Sequence, residues 1–245
     1  MNVALYALVA LGMMESLPGT PAVENDPGME CVVLLHGMAR TERSMLPMQR
    51  ALTAAGYAVA NVGYPSREHP IAELAPIAVD EGVAECRRQR SHGRIHFVTH
   101  SLGGILLRYY TNEQRIDDIG RVVMLGPPNN GSAAADKWRS VPGFDFINGP
   151  AGSELGKGDE SVPLKLGQPT FEFAVIAGDR SIDPITHAML DKPNDGRVTV
   201  DETRLAGMSD FRQVHASHAF MMRDSEVIEL TIAFLANGRF PVNDP

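Results

Sequence analysis

The sequence has its best-placed nucleophile at Ser101, which follows an apolar run at residues 94–99 and precedes Gly103 and a helical segment. A serine at such a sharp strand-to-helix turn presents its hydroxyl above a sheet. The turn brings the residues on its two sides close together, so small side chains are favoured two positions before and after the serine. Gly103 meets this requirement, whereas Thr99 stands where the G-x-S-x-G pattern has glycine. The alternative is an ordinary strand–helix turn in which Ser101 only caps the helix.

Two histidines near the end of the chain are candidates for the base that Ser101 needs. A serine hydroxyl is a poor nucleophile until a base accepts its proton. His215 and His218 both follow the last predicted strand, residues 211–214, and precede the final helix. We predict His218 as the base, because the extra residues let its loop reach back over the sheet. His215 is the rival candidate.

Three aspartates compete for the third position of a Ser–His–Asp arrangement, in which a carboxylate orients the histidine and stabilises its charged form. They are Asp179, Asp183 and Asp195, which all follow the penultimate predicted strand, residues 171–177. Asp195 stands in the tight-turn sequence Asn-Asp-Gly-Arg-Val, where the glycine lets the chain turn while the aspartate points inward. We therefore predict Asp195, with Asp179 second and Asp183 third.

Backbone N–H groups on two loops are predicted to stabilise an oxyanion. Acyl transfer to a serine builds negative charge on the carbonyl oxygen, and two N–H donors can hold that charge. Leu102 supplies one N–H at the start of the helix after Ser101. Met38 supplies the other from the loop after the first strand, where Gly37 permits a turn that aims the Met38 amide inward.

Strands that alternate with helices must position these residues. The predicted strands span residues 31–35, 57–62, 94–99, 121–125, 171–177 and 211–214. The predicted helices span residues 44–55, 71–90 and 102–111, and a final helix is capped by Asp224 or Ser225. This alternation predicts an α/β fold with a mostly parallel central sheet and helices on both faces. Ligands of such sheets bind at the carboxyl ends of the strands, where the candidate residues are expected to meet.

The domain prediction is an N-terminal segment at residues 1–29 and a single domain over residues 30–245. Within the domain, residues 127–170 contain many Gly and Pro residues and show weak periodicity, which indicates an excursion over the sheet. Large apolar side chains of this excursion either line an acyl pocket or pack in the core: Trp138, Phe144, Phe146 and Ile147.

Composition and charge bound the class of protein. The chain has 245 residues, of which 44% are hydrophobic and 21% charged, as is typical of a folded domain that buries a core. The formal net charge of −8 argues against nucleic-acid binding, because no net basic field would attract phosphates. An apolar run at residues 3–14 is too short to span a membrane.

The same apolar run bears on localisation. It resembles the middle of a secretory signal peptide, and residues 18–22 follow it as a processing region, although no Lys or Arg precedes it. Cys31 and Cys86 are expected on the same side of the sheet, so a disulfide is within reach and would suit an oxidising compartment. Two buried thiols are the alternative. We expect export from the cytoplasm, with a cytoplasmic protein as the alternative.

With these motifs in order, the sequence resembles the α/β-hydrolase superfamily, and within it bacterial lipase-like esterases. The resemblance covers roughly residues 31–240. Five blocks carry it, at residues 35–38, 99–104, 126–132, 194–198 and 217–220. The order of Ser101, Asp195 and His218 along the chain is the order typical of the family.

The resemblance implies the α/β-hydrolase fold and hydrolysis of carboxylic esters through an acyl-serine intermediate. It implies a small-molecule or lipid ester as substrate, without a metal or an organic cofactor. An acyltransferase or a thioesterase built on the same three residues is the alternative enzyme, because only the acyl acceptor differs. A non-catalytic binding module of hydrolase-like fold is the alternative from another class. The oligomeric state is not predicted.

Overall fold

The computed structural model describes residues 30–89, 93–139, 144–182, 190 and 192–242, and of residues 144–147 only the backbone. The predicted N-terminal segment at residues 1–29 and the candidate Asp183 lie outside the described residues, as do the side chains of Phe144, Phe146 and Ile147. Of the two alternatives for Cys31 and Cys86, the structure has the disulfide, with 5.6 Å between the Cα atoms. It joins the start of the first strand to the helix that packs on it.

Six strands form one parallel sheet within the described part of the chain, and the order across the sheet is β2-β1-β3-β4-β5-β6. The strands are β1 (Cys31–Leu35), β2 (Ala58–Val62), β3 (Ile95–His100), β4 (Ile119–Leu125), β5 (Phe173–Gly178) and β6 (Asp210–Val214). The loop with Met38 follows β1 and Ser101 follows β3, so neighbouring strands deliver both residues to the carboxyl edge of the sheet.

The helices follow the strands in the expected alternation. They are α1 (Leu46–Ala54), α2 (Ile71–Gln89), α3 (Leu102–Glu113), α4 (Ala133–Arg139), α5 (Phe144–Ser153), α6 (Val162–Lys165), α7 (Val200–Thr203) and α8 (Ser225–Asn237). Asp224 caps α8 by accepting hydrogen bonds from two backbone N–H groups, as predicted. None of the described helices is long and apolar enough to cross a membrane.

Both faces of the central strands are buried, which explains why β1 and β5 are continuous apolar runs rather than alternating ones. In β1, Val33 and Leu35 pack in one core with helices α2 and α3. Val32 and Leu34 point the other way, into a second core with α1 and α8. The predicted fold class, a parallel sheet with helices on both faces, is confirmed.

The excursion after β4 contains helices α4, α5 and α6. Its ends are held by Arg108 of α3, whose buried guanidinium donates to the carbonyl oxygens of Asn129, Pro163 and Leu166 at 3.1, 3.3 and 3.2 Å. The arginine therefore satisfies backbone acceptors that would otherwise be buried without donors.

Candidate active site

Ser101 lies in a strained turn between β3 and α3. Its φ of 52° and ψ of −117° place it in a backbone region that non-glycine residues rarely adopt. The turn brings α3 so close to the end of β1 that a Cβ atom on Gly103 would lie 2.7 Å from the carbonyl oxygen of Leu35. A glycine is therefore required at position 103, as the sequence predicted, and the strain holds the Ser101 hydroxyl above the sheet.

Thr99, which departs from the glycine pattern, is accommodated by the neighbouring helix. Its side chain is fully buried. A Cβ atom on Gly104 would lie 3.2 Å from the Thr99 hydroxyl oxygen, closer than ordinary contact. Gly104 thus provides the space that the threonine occupies, and the turn at Ser101 forms without glycine at position 99.

The structure brings Ser101, His218 and Asp195 together. The Ser101 hydroxyl lies 3.0 Å from Nε2 of His218 and can donate to it. On the other side of the ring, Nδ1 of His218 lies 2.7 Å from Oδ2 of Asp195. An Nδ1–H tautomer satisfies both contacts, because it donates to the carboxylate and leaves Nε2 free to accept the serine proton.

The carboxylate of Asp195 is fixed by its own turn. Its side chain is fully buried, and Oδ1 accepts hydrogen bonds from the N–H groups of Arg197 at 2.9 Å and Val198 at 2.8 Å. The backbone N–H of His218 donates to the Asp195 carbonyl at 2.9 Å. Oδ2 is therefore held toward the imidazole by contacts that do not depend on Ser101.

The rival candidates pair with each other instead. Asp179 accepts from the exposed His215 ring at 2.9 Å and from the Gln213 amide at 2.8 Å. Among the described residues, neither Asp179 nor His215 makes a hydrogen bond to Ser101 or His218. Because His215 follows β6 directly, it lies too early in the loop to reach back over the sheet.

The two predicted oxyanion donors lie at the carboxyl edge of the sheet. Leu102 is the first residue of α3, where a backbone N–H has no partner within the helix. Met38 lines the same cavity as Ser101. Its loop is held by Ser66, whose hydroxyl accepts from the Ala39 N–H at 3.1 Å, and by Tyr64, whose hydroxyl donates to the His36 carbonyl.

Comparison with known proteins gives the family. The family model described as "Alpha/beta hydrolase family" matches residues 32–228, which is most of the chain. The chain belongs to the alpha/beta hydrolase family. The five sequence blocks that carry the resemblance all begin within the matched span. Among curated protein sequences, none matches this alpha/beta hydrolase.

Solved structures of similar fold include three named enzymes. A lipase from Bacillus licheniformis in its mature form has a TM-score of 0.72 and 19% identity, over 89% of this chain and 96% of that chain. A metagenomic carboxyl esterase has a TM-score of 0.61 and 18% identity, over 82% and 68%. A phospholipase from Legionella pneumophila has a TM-score of 0.58 and 18% identity, over 71% and 44%. At these identities the similarity shows the fold.

His100 is a site residue of this hydrolase that the sequence reasoning missed. Its Nε2 donates to the backbone carbonyl of His218 at 2.9 Å, and the two rings lie 4.8 Å apart. Burial, and then the neighbouring His218, holds the pKa of His100 well below 6.5. A neutral ring therefore braces the loop that carries His218. The sequence offered one indication of this role, the position of His100 directly before Ser101. Its hydrogen-bond partner, His218, is 118 residues away in the sequence and could not be inferred.

A cavity of about 520 Å³ opens onto Ser101 and His218. Its walls include the apolar side chains of Met38, Pro128, Trp138, Leu155 and Val198, and the charged side chains of Arg40 and Arg197. Trp138 thus lines the cavity, as one of the two sequence interpretations expected. The described residues contain no group of three His, Cys, Asp or Glu side chains that could hold a metal ion.

Proposed function

We propose that this alpha/beta hydrolase cleaves carboxylic esters through an acyl intermediate on Ser101. The observation that carries the proposal is the hydrogen-bonded line from the Ser101 hydroxyl to His218 at 3.0 Å and from His218 to Asp195 at 2.7 Å. Ser101, at one end of these hydrogen bonds, lines a cavity large enough for a small ester. A base within hydrogen-bond distance is what a serine hydroxyl requires to attack a carbonyl.

In the first half of the reaction, Nε2 of His218 accepts the Ser101 proton as the hydroxyl oxygen attacks the ester carbonyl. The carbonyl oxygen gains negative charge, which the N–H groups of Met38 and Leu102 stabilise. The buried Asp195 carboxylate stabilises the imidazolium that forms. His218 then gives its proton to the leaving alcohol as the carbon–oxygen bond breaks, and Ser101 keeps the acyl group.

In the second half, water replaces the alcohol. His218 accepts a proton from the water as its oxygen attacks the acyl-serine, and the same two N–H groups hold the second oxyanion. Collapse returns the proton to Ser101 and releases the carboxylic acid.

The substrate that we propose is a small-molecule or lipid ester. The mainly apolar walls of the cavity support an apolar acyl or alcohol part, since apolar surface there gains free energy on leaving water. The names of the structural relatives, a lipase, a carboxyl esterase and a phospholipase, support an ester as the bond that is cleaved.

Hydrolysis of p-nitrophenyl butyrate by wild type and Ser101→Ala tests the proposal. We expect the variant to lose at least about 10³-fold in kcat, because the nucleophile is removed. Ser44→Ala is the matched control; the Ser44 hydroxyl donates to the Thr41 carbonyl in a surface turn, and its removal should leave the rate unchanged. If Ser101→Ala, folded by circular dichroism, hydrolyses the ester at the wild-type rate, the proposal is wrong.

We also propose that the protein is exported. The Cys31–Cys86 disulfide supports an oxidising compartment, because disulfides persist there and are rare in the cytosol of most organisms. The signal-like run at residues 3–14 supports it independently. N-terminal sequencing of protein from the periplasm of a bacterial host should find a start within or just after residues 18–22. Recovery of the uncleaved chain from the cytosol alone would contradict export.

A further inference from the structure

The cavity at Ser101 is lined by positive charge. Arg40 and Arg197 line it, and none of its described lining residues is Asp or Glu. Asp195 does not line the cavity; its buried carboxylate accepts from His218 and from two backbone N–H groups. This local sign is opposite to that of the whole chain, which carries a net charge of −8.

Neither arginine has a counterion among the residues that the structure describes. Among the described residues, no carboxylate lies within 4.0 Å of the guanidinium of Arg40 or Arg197. Arg87, Arg88 and Arg121, in contrast, each pair with a carboxylate. Both cavity arginines are exposed, so they lie where the cavity meets solvent and can receive a charged group without prior loss of an ion pair to any described carboxylate.

Both arginines belong to the loops that build the reaction site. Arg40 follows the proposed oxyanion donor Met38 by two residues, and Arg197 follows Asp195 by two residues. The Arg40 charge also acts on the site itself: together with burial and His218, which contribute more, it lowers the pKa of His100. A substrate whose carbonyl lies at Ser101 therefore has its other groups within the field of these two cations.

We propose that the ester cleaved at Ser101 carries an anionic group, a carboxylate or a phosphate, which Arg40 and Arg197 bind. The inference rests on the proposed function and names its substrate class. A guanidinium presents a fork of N–H donors that matches the oxygens of either anion. The apolar walls then bind the hydrocarbon part of the same molecule, so the substrate is an amphiphile with one charged end.

Two pairs of chromogenic esters test which part of the substrate carries the anion. On the acyl side, p-nitrophenyl hemiglutarate is compared with p-nitrophenyl pentanoate. On the alcohol side, 3-butanoyloxy-4-nitrobenzoate is compared with 3-butanoyloxy-4-nitrobenzamide. For each pair the readout is the ratio of kcat/KM for the anionic ester to that for the neutral ester, after subtraction of the rate with Ser101→Ala. A general loss of site geometry lowers both rates and cancels in the ratio.

The variants are Arg40→Gln, Arg197→Gln and the double variant, with Arg115→Gln as the control. Arg115 is exposed and lies just beyond the end of α3 that is remote from Ser101. We expect the ratio in at least one pair to fall about 2- to 5-fold for each cavity arginine, as for an exposed ion pair, and further in the double variant. Arg115→Gln should leave the ratio unchanged. Raising the salt concentration from about 0.02 M to about 0.5 M should lower the wild-type ratio.

The outcomes separate this inference from the function on which it rests. If the cavity variants lower the ratio of kcat/KM values in the acyl pair or in the alcohol pair, the inference is supported and the anion belongs to that side of the ester. Ratios that the cavity variants leave unchanged in both pairs, or change no more than Arg115→Gln does, overturn it while ester hydrolysis stands. A wild-type protein that hydrolyses none of the four esters overturns the proposed function and this inference with it.

Discussion

At the scale of single residues, the site separates two Asp–His pairs that the sequence could not tell apart with certainty. Asp195 and His218 meet Ser101, whereas Asp179 and His215 form an exposed pair of their own. The decisive difference is the turn after Asp195, where two N–H groups hold the carboxylate toward the imidazole. The glycine in the tight-turn motif at residue 196, with its φ of 97°, is the local signal for that turn.

Replacement of each aspartate by asparagine measures this difference. Asp195→Asn should lower kcat for ester hydrolysis by about 10³- to 10⁴-fold, because the amide neither stabilises an imidazolium nor selects the Nδ1–H tautomer. Asp179→Asn, the matched control, should change kcat less than about 3-fold. Steady-state kinetics with p-nitrophenyl butyrate measure kcat for both variants and for wild type. Equal losses in the two variants would contradict the assignment of Asp195.

His100 gives a pH dependence of stability with a definite sign. Because its pKa is lower in the folded than in the unfolded protein, the unfolded state binds the proton first as the pH falls below about 6.5. The free energy of unfolding therefore decreases as the pH decreases in that range, by at most about 1.4 kcal/mol per pH unit for one proton. His100→Gln should show a shallower dependence of the free energy of unfolding on pH, measured by urea unfolding between about pH 6.5 and about pH 5. Identical slopes would mean that His100 is protonated in the fold.

At the scale of elements, the central strands were the easiest part to predict, because two covered faces make β1 and β5 continuous apolar runs. The predicted and observed bounds of β1 are the same. β4 begins at Ile119 rather than residue 121, since Gly120 interrupts the apolar pattern. That glycine is needed because the buried His96 ring packs against it; a Cβ atom there would lie 2.6 Å from Nδ1 of His96.

The boundaries of α1 were less predictable. A helix at residues 44–55 was expected, but a 3-10 turn at Glu42–Met45 precedes α1 at Leu46–Ala54. Pro47 in the first turn of α1 accounts for the later start, because proline has no N–H to donate and is tolerated where the helix N–H groups have no partner. The excursion at residues 127–170 lacked clear periodicity because its helices α4, α5 and α6 are short, at 7, 10 and 4 residues, and α5 is broken at Gly149.

Arg108 is expected to hold this excursion in place. Arg108→Leu should lower the free energy of unfolding by about 3 kcal/mol, because it leaves buried carbonyl oxygens without donors. Limited proteolysis should then cut within residues 127–170 faster than in wild type. Arg115→Leu, an exposed control, should change stability by less than about 0.5 kcal/mol. If the two variants have equal stability and equal cleavage rates, Arg108 does not fix the excursion.

At the scale of the whole molecule, the disulfide joins β1 to α2 at the edge of the sheet opposite Ser101. The two cysteines are 55 residues apart in the sequence. Closure of a loop of this length is expected to stabilise the fold by about 4 kcal/mol through the entropy of the unfolded chain. Urea unfolding of Cys31→Ala/Cys86→Ala should show that loss, while kcat of the folded protein stays close to wild type. Unchanged stability, or a loss of kcat in the folded variant, would contradict this division between stability and chemistry.

Long-range packing set the limit of what the sequence could reveal. Ser101, Asp195 and His218 could be predicted because each follows a strand that is recognisable locally, and parallel strands share one carboxyl edge. The contact of His100 with the His218 backbone and the meeting of Arg40 with Arg197 around one cavity have no local signature. They depend on loops from distant parts of the chain, whose relative positions only the folded structure provides.

The nucleophilic character of Ser101 is the central claim, and reaction with a fluorophosphonate probe followed by peptide mapping tests it most directly. We predict a single covalent adduct on Ser101 in the folded wild-type protein, loss of ester hydrolysis in proportion to labelling, and no adduct in Ser101→Ala. An adduct on another residue, or full ester hydrolysis by a protein whose Ser101 stays unlabelled, would contradict the account.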